Sequence, residues 1–260
     1  MTFDLVVATV GRVDELRRLL ASLERQTELG FRVVVVDQND DERVKGVLDR
    51  HVDLNIERLR SPLGLSHARN QALPRLEADV VAFPDDDCVY PEDLLERVAA
   101  RFLRERGLDG LTGREPSWTS TQAVLTRDNL WNRAISFTIF LRRSLVEQVG
   151  RFDESLGLPS SSGEETDYLI RAIDSGARIE YDPTFVVEHP EKDLDLVAIG
   201  ARDGASLGYI LRKHRYPPST VARMLGRPVG GAVLAALRND RRRARFHIAT
   251  LHGRLAGYRS

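Results

Sequence analysis

Cysteine is almost missing from this chain, with Cys88 the single one among 260 residues. That excludes a disulfide framework and any zinc site made from several cysteines, and it fits a reducing compartment. Long hydrophobic runs are missing too, and none reaches the roughly 18 residues needed to cross a bilayer. The opening MTFDLVVATVGR carries an acid where a secretory leader would be positive, and no cleavage site follows it. Secreted, fibrous, disordered and membrane-spanning classes are therefore not expected. Lysine is scarce, supplying only three of the 38 cations. What remains, 42% hydrophobic and 30% charged residues, suits one large α/β domain or such a domain with an appendage.

The net charge of -1 hides an uneven distribution. Residues 201–260 hold 13 Lys+Arg against 2 Asp+Glu, whereas the first 200 hold 25 against 37. An acidic body thus carries a basic tail, and the two are expected to meet different partners.

The first 115 residues alternate strand and helix signals. Residues 5–8 form a short apolar run that fits a buried parallel strand. Leu16, Leu19, Leu20 and Leu23 then fall on one face of a helix. Four valines, 33–36, predict a strand buried on both faces. Further strands are expected over 54–59, 79–83, 136–141 and 179–187, the last broken by Pro183. Helices are expected from about 65 to 73, from Pro91 to about Arg106, over 144–149, from Glu164 to about Ser175, and onward from Asp193. A flexible loop is expected at 158–163. Repeated β-α-β units imply a mostly parallel sheet with helices on both faces, where ligands sit at the carboxyl ends of the strands. Thr9 and Arg12, Asp37, and Asp85 to Asp87 all fall at such ends, which points to a nucleotide-type crevice.

Several of these residues carry chemistry. Asp85 and Asp87, read as i and i+2 of an extended segment, share one side and offer hard oxygens to Mg²⁺ or Mn²⁺; a solvated acidic turn is the plain alternative. Asp37 could accept from a nucleobase N–H, or simply close an Asx turn with Asn39. Arg69, on a helix after the glycine turn at Gly64, suits a base or a diphosphate, while Asn70 is expected to fix the loop. Glu164, Glu165 and Asp167 open a helix: the dipole favours acids there, and a general base is the functional alternative. His189 could reach the metal or the diphosphate.

Taken together, VVATVGR, VVVVDQND, GLSHARN, FPDDDCVYP and FDESLGLPSSSGEETDYLIRAIDSG, in that order, resemble family 2 glycosyltransferases of the GT-A fold over about residues 3–190. The resemblance implies a Rossmann-like, mostly parallel sheet forming a transferase domain over 1–192, with a basic helical extension over 193–260. It implies a nucleotide-diphospho-sugar donor, a divalent metal and inversion at the anomeric carbon. Thr9 and Arg12 then border the nucleotide, Asp37 contacts the base, and Arg69, Asp85 and Asp86 belong to the donor site. Asp87, Asp85 and His189 fall on metal positions. Glu165 falls on the catalytic base, with Glu in place of the commoner Asp and with Glu164 and Asp167 as substitutes. Arg114, Trp118 and Trp131, between the donor and base segments, are assigned to the acceptor. No protein nucleophile is implied.

Two rival functions stand beside this one. A sugar-phosphate nucleotidyltransferase would open with a glycine-rich, lysine-containing loop, of which Thr9-Val10-Gly11-Arg12 is a poor version. A non-catalytic nucleotide-sugar-binding subunit would bind donor without turnover. In the tail, Gly200, Gly204 and Gly208 make a small-residue stripe expected to pack on the catalytic domain. Ala244, Ile248, Leu251 and Leu255 make an apolar stripe beside Arg238, Arg241, Arg242, Arg243 and Arg245. Such a helix can lie on an anionic membrane, dock on the acidic body or join a homodimer. Nucleic acid is not expected, since no aromatic platform accompanies the arginines. The expected setting is bacterial polysaccharide or glycoconjugate synthesis, in the cytoplasm or at the inner face of the membrane, with a saccharide or lipid-linked saccharide as acceptor.

Overall fold

Four consecutive valines leave a strand no side suited to water, and the fold gives them none: Val33 to Val36 are fully buried in β2 (Phe31–Asp37). In this computed structural model, which describes residues 1–115, 118–158, 162–189 and 195–260, β2 lies between β1 (Phe3–Thr9) and β3 (Ile56–Arg60), parallel to both. β4 (Val80–Ala82) pairs parallel with β1 on its other side. The sheet continues through β5 (Gly110–Arg114), β6 (Ala123–Val124), β7 (Ile139–Arg142) and β8 (Ile179–Val186), in the order β3-β2-β1-β4-β7-β5-β8-β6. Only β7 and β6 run against their neighbours, so the mostly parallel sheet expected from the sequence is present.

Alternation along β1 divides the core into two layers. Phe3, Leu5 and Val7 meet Leu16, Leu19, Leu20 and Leu23 of α1 (Val13–Leu23) and Leu94, Leu95, Val98 and Phe102 of α4 (Leu94–Arg104). Val6 faces the other way, toward Ala68 and Ala72 of α3 (Leu65–Ala72), Leu145 and Val146 of α5 (Arg143–Val149), and Leu169 and Ala172 of α6 (Glu164–Asp174). A short α2 (Lys45–Leu48) adds Val47 to the first layer. Helices thus cover both faces, as parallel strands require.

Three element boundaries differ from expectation. The helix expected from Pro91 begins at Leu94, because 91–94 closes a turn in which Leu94 N donates to Pro91 O at 3.1 Å. Residues 136–138 form a 3₁₀ turn rather than the start of a strand. Pro183 does not break β8. It falls where β8 swings away from β5, the register jumping from Thr112↔Tyr181 to Arg114↔Val186, so no ladder bond asks for its missing N–H. Gly113 sits inside that excursion, where a Cβ would collide with the Phe185 carbonyl oxygen. The loop expected at 158–163 includes 159–161, and the helix expected from Asp193 begins with 193–194; both fall partly outside the described residues.

The chain forms two compact units, one of Met1–Asp153 with Tyr168–Pro190 and the other of Glu154–Asp167 with Glu191–Ser260. The second contains α7 (Leu196–Lys213), α8 (Pro218–Leu237) and α9 (Arg241–Arg259). α7 is capped by Asp195, whose Oδ1 accepts from Val197 N and Ala198 N. The stripe Gly200, Gly204 and Gly208 faces α9, not the catalytic domain as expected. A Cβ on Gly200 would lie 2.8 Å from Thr250 Oγ1, and Cβ atoms on Gly204 and Gly208 would strike the Thr250 and Arg254 carbonyls. The fit is reciprocal, since Gly253 and Gly257 press on Ala201 and Ala205. α9 therefore buries Thr250, Gly253 and Gly257, while Ile248 of the expected apolar stripe stays exposed. Close backbone approach selected the small face over the greasy one. Among the described residues, no helix is long and apolar enough to cross a membrane.

This packing predicts opposite outcomes at two glycines of the same unit. Gly208→Ala should force α7 from α9 at a cost of about 1–3 kcal/mol and lower the melting temperature. Gly226→Ala, where a Cβ meets nothing, should hold or raise it by up to about 1 kcal/mol of helix propensity. Equal melting curves for the two variants would contradict the close-approach account.

Candidate active site

The loops after β1, β2 and β3 are tied together before any side chain can act as a ligand. Thr9 and Asp37 are register partners at the ends of β1 and β2, and Gln38 N donates to Thr9 O at 3.0 Å. Gly11 N donates to Asn39 Oδ1 at 2.8 Å, and Gly64 N to Gln38 Oε1 at 2.7 Å. Gly64 holds φ 130°, a conformation open to glycine, so the chain can turn there into α3.

Asp37 is fully buried, and both its oxygens are engaged. Oδ1 accepts from Asn39 N at 2.9 Å and Asn39 Nδ2 at 2.7 Å; Oδ2 accepts from Arg58 Nη2 at 2.6 Å and Nε at 3.1 Å, with Arg60 Nη1 at 3.2 Å. Burial alone would raise its affinity for protons, but Asn39 and Arg58 outweigh that and hold the carboxyl below its usual range. Asp37 thus fixes Asn39 and two arginines at the end of β2. Arg58 and Arg60 share one side of β3 by simple alternation, a signal the sequence offered and the motif reading passed over.

Past β4 the acidic triplet folds as a turn, with Cys88 N donating to Asp85 O at 3.2 Å, not as the extended segment expected. Its three carboxylates part company. Asp86, 4% exposed, accepts from Thr9 Oγ1 at 2.8 Å and Arg12 Nη1 at 2.9 Å. Burial pushes its carboxyl above the ordinary value, against the pull of Arg12 and Thr9. Burial also works against the charge of Arg12, but Asp86 and Asp87 more than offset it and raise the guanidinium's proton affinity. Asp87, 2% exposed, takes Arg12 Nη1 on Oδ2 at 3.1 Å and faces His189 Nε2 with Oδ1 at 3.0 Å. Asp85 accepts from Ser136 Oγ at 3.0 and 3.1 Å, and Arg69 Nη2 lies 3.7 Å from it.

His189 arrives from the far end of the sheet. A bridge between Val89 and Glu188, with Val89 N donating to Glu188 O at 2.8 Å, sets it beside Asp87, and its ring stacks on Phe137 at 4.9 Å. Ligand atoms of Asp85, Asp87 and His189 all lie within 4.8 Å of one another, the grouping among the described residues that can hold a metal ion. Two carboxylate oxygens and one imidazole suit Mn²⁺ or Mg²⁺ with further positions left to water or substrate oxygens. Arg69 is 2% exposed and lies between the rings of Phe83 and Phe152, 5.6 and 5.4 Å from their centroids. Asn70 fixes a loop as expected: its Nδ2 donates to Phe152 O at 3.0 Å and its Oδ1 accepts from Phe152 N at 2.8 Å. Ser136 and Phe137, which orient Asp85 and His189, carried no sequence signal.

Residues 4–150 match the profile of glycosyl transferase family 2. The chain belongs to that family. Two curated proteins, pre-mycofactocin glycosyltransferases from two strains of Mycobacterium tuberculosis, are 27% identical over 252 residues; the match covers 88% of this chain and 51% of theirs. The chain thus spans about half the length of these relatives. Among solved structures, the Pyrobaculum calidifontis mannosyltransferase PcManGT, in complex with GDP-Man and Mn²⁺, superposes with TM-score 0.73 at 16% identity, over 98% of this chain and 86% of that one. S. aureus TarS 1-349 with UDP-GlcNAc gives 0.60 at 19% identity, over 96% and 90%. These likenesses establish that the family 2 chain has the GT-A fold.

The remaining predicted residues of this family 2 protein lie elsewhere. Arg114 ends β5, its Nε buried without a hydrogen-bond partner among the described residues. Trp118 packs against the second core layer, and Trp131 is half-buried in a 3₁₀ turn. In the other unit, Glu164 is buried and Glu165 half-buried in the first turn of α6, whereas Asp167 is fully buried, 2.6 Å from Lys213 Nζ and 2.8 Å from His214 Nε2.

The separate duties of neighbouring acids are testable by Mn²⁺ calorimetry and thermal melts. Asp87→Ala should weaken Mn²⁺ binding more than about tenfold. Asp86→Asn should leave Mn²⁺ affinity within a few-fold but destabilise the protein by about 1–3 kcal/mol, since Arg12 loses an ionised partner. Equal loss of metal from both would refute the division.

Proposed function

We propose that this family 2 protein is an inverting glycosyltransferase. It moves a sugar from a nucleotide-diphospho-sugar to a hydroxyl of a saccharide or lipid-linked saccharide, in bacterial polysaccharide or glycoconjugate synthesis. The observation that carries this reading is the convergence of Asp85, Asp87 and His189 beside Thr9, Arg12 and Arg69 at the carboxyl ends of parallel strands. The complexes of PcManGT with GDP-Man and Mn²⁺ and of TarS with UDP and UDP-GlcNAc support a nucleotide-sugar donor. Residues 1–192 act as the transferase domain and 193–260 as its extension, in the cytoplasm and at the inner face of the membrane.

Asp85, Asp87 and His189 would hold Mg²⁺ or Mn²⁺, which would supply positive charge for a diphosphate. Arg69, kept rigid between two aromatic rings, adds a guanidinium beside Asp85. Thr9 and Arg12, anchored by Asp86, border the nucleotide, and Asp37, held in place by Asn39, Arg58 and Arg60, contacts the base. Glu165 takes the acceptor proton as the hydroxyl oxygen bonds to the anomeric carbon and the bond to the diphosphate breaks. Glu165 is preferred to Asp167, whose carboxylate is held by Lys213 and His214, and to Glu164, which is buried. Arg114, Trp118 and Trp131 are assigned to the acceptor; the unpartnered Nε of Arg114 supports its place there.

Transfer from a panel of nucleotide sugars, read with donor binding, tests the assignment. Glu165→Gln should keep donor affinity and lose about 10²–10⁴-fold in transfer rate. Normal transfer by that variant would dismiss the base, and failure of the parent chain to bind any nucleotide sugar would dismiss the donor.

A further inference from the structure

The last two helices present a surface that the transferase chemistry does not use. The solvent face of α8 changes character along its length. Arg223 and Arg227 stand on its first half, but beyond them the exposed residues are Val229, Gly230, Val233, Leu234, Ala236 and Leu237. Val229, Val233 and Leu237 recur every four residues and so form one ridge. The ridge is open to water: Val233 is 56% exposed and Leu237 80%. The residues that α8 buries, such as Met224, Pro228 and Ala235, lie between these.

A cationic collar follows at once. Asn239, with φ 57°, turns the chain, and Arg238, Arg241, Arg242, Arg243 and Arg245 stand exposed around the corner between α8 and α9. The acid in this stretch, Asp240, caps α9, its Oδ1 accepting from Arg243 N at 3.0 Å. On α9, Ile248 is exposed as well.

An aliphatic ridge bordered by arginines matches the boundary between acyl chains and anionic headgroups. Aliphatic side chains enter the acyl edge, and guanidinium groups bind lipid phosphates. A second copy of this chain is a poorer occupant, because a two-fold contact sets the same patch against itself and would bring the arginines together. Nucleic acid would use the arginines and leave the ridge wet, and the patch carries no aromatic platform. Residues 228–237 span about 15 Å as helix, half of a bilayer's hydrocarbon thickness of about 30 Å, so the segment lies in the interface and does not cross it.

We propose that the α8–α9 corner docks this protein on anionic lipid bilayers, with Val229, Val233, Leu234 and Leu237 inserted at the headgroup boundary and Arg238, Arg241, Arg242, Arg243 and Arg245 on the lipid phosphates. The docking stands on this face alone and does not depend on which sugar is transferred.

Vesicle flotation of the whole chain tests it, using phosphatidylcholine vesicles with and without about one-quarter phosphatidylglycerol. The parent chain should bind the anionic vesicles and not the neutral ones, less so as salt rises. Replacing Arg241, Arg242 and Arg243 together with Gln should weaken binding about a hundredfold. The double variant Val233→Ser with Leu237→Ser should weaken it about tenfold or more. Both variants alter exposed residues and should keep the parent melting curve and nucleotide-sugar affinity, so a failed donor reading is distinguishable from failed docking. No binding of the parent to anionic vesicles would overturn the proposal. So would full binding by the double serine variant, which would mean charge adsorption without insertion. A dimer of the parent that the serine variant abolishes, without vesicle binding, would assign the ridge to a second copy instead.

Discussion

Burying carboxylates is what this fold must solve first. Asp37, Asp86 and Asp87 are withdrawn from water at the end of β2 and beyond β4, the strands on either side of β1, and an ionised acid in such a place is tolerable only when hydrogen-bonded and paired. Arg12 answers for two of them, and Arg58 with Asn39 for the third. These pairs in turn tie the ends of β1, β2 and β3 to one another. Pre-set charge of this kind is worth more to a reaction than charge that must be gathered during it.

Much of the fold could be read in advance, because the signals were of the kind that physics makes unambiguous. Val33 to Val36 admitted one environment, and the leucines of α1 one face. The triplet at 85–87 was legible as a candidate metal position, but not the separate partners of its three acids, since a turn and an extended segment present the same three letters. Asp37 shows the same limit from the other side. Its type and place suited a base contact, while its partners Arg58 and Arg60 come from a different strand, and only pairing in space reveals them. Ser136 and Phe137 were illegible for that reason as well: an ordinary serine and phenylalanine matter here because of what the sheet sets beside them.

The tail offers a contrast in how helices choose faces. Hydrophobicity marked Ala244, Ile248, Leu251 and Leu255 as the apolar stripe of α9, but the glycines of α7 admit a neighbour so closely that Thr250, Gly253 and Gly257 form the contact face. Ile248 of α9 is left outside by that choice.

The imidazole of His189 reaches Asp87 only through the bridge from Val89 to Glu188. During synthesis the two carboxylates therefore leave the ribosome long before their third companion, and a nascent chain halted ahead of β8 lacks the imidazole. The full three-residue grouping is in this way coupled to the arrival of the last strand, and a fragment ending before it holds only the two carboxylates.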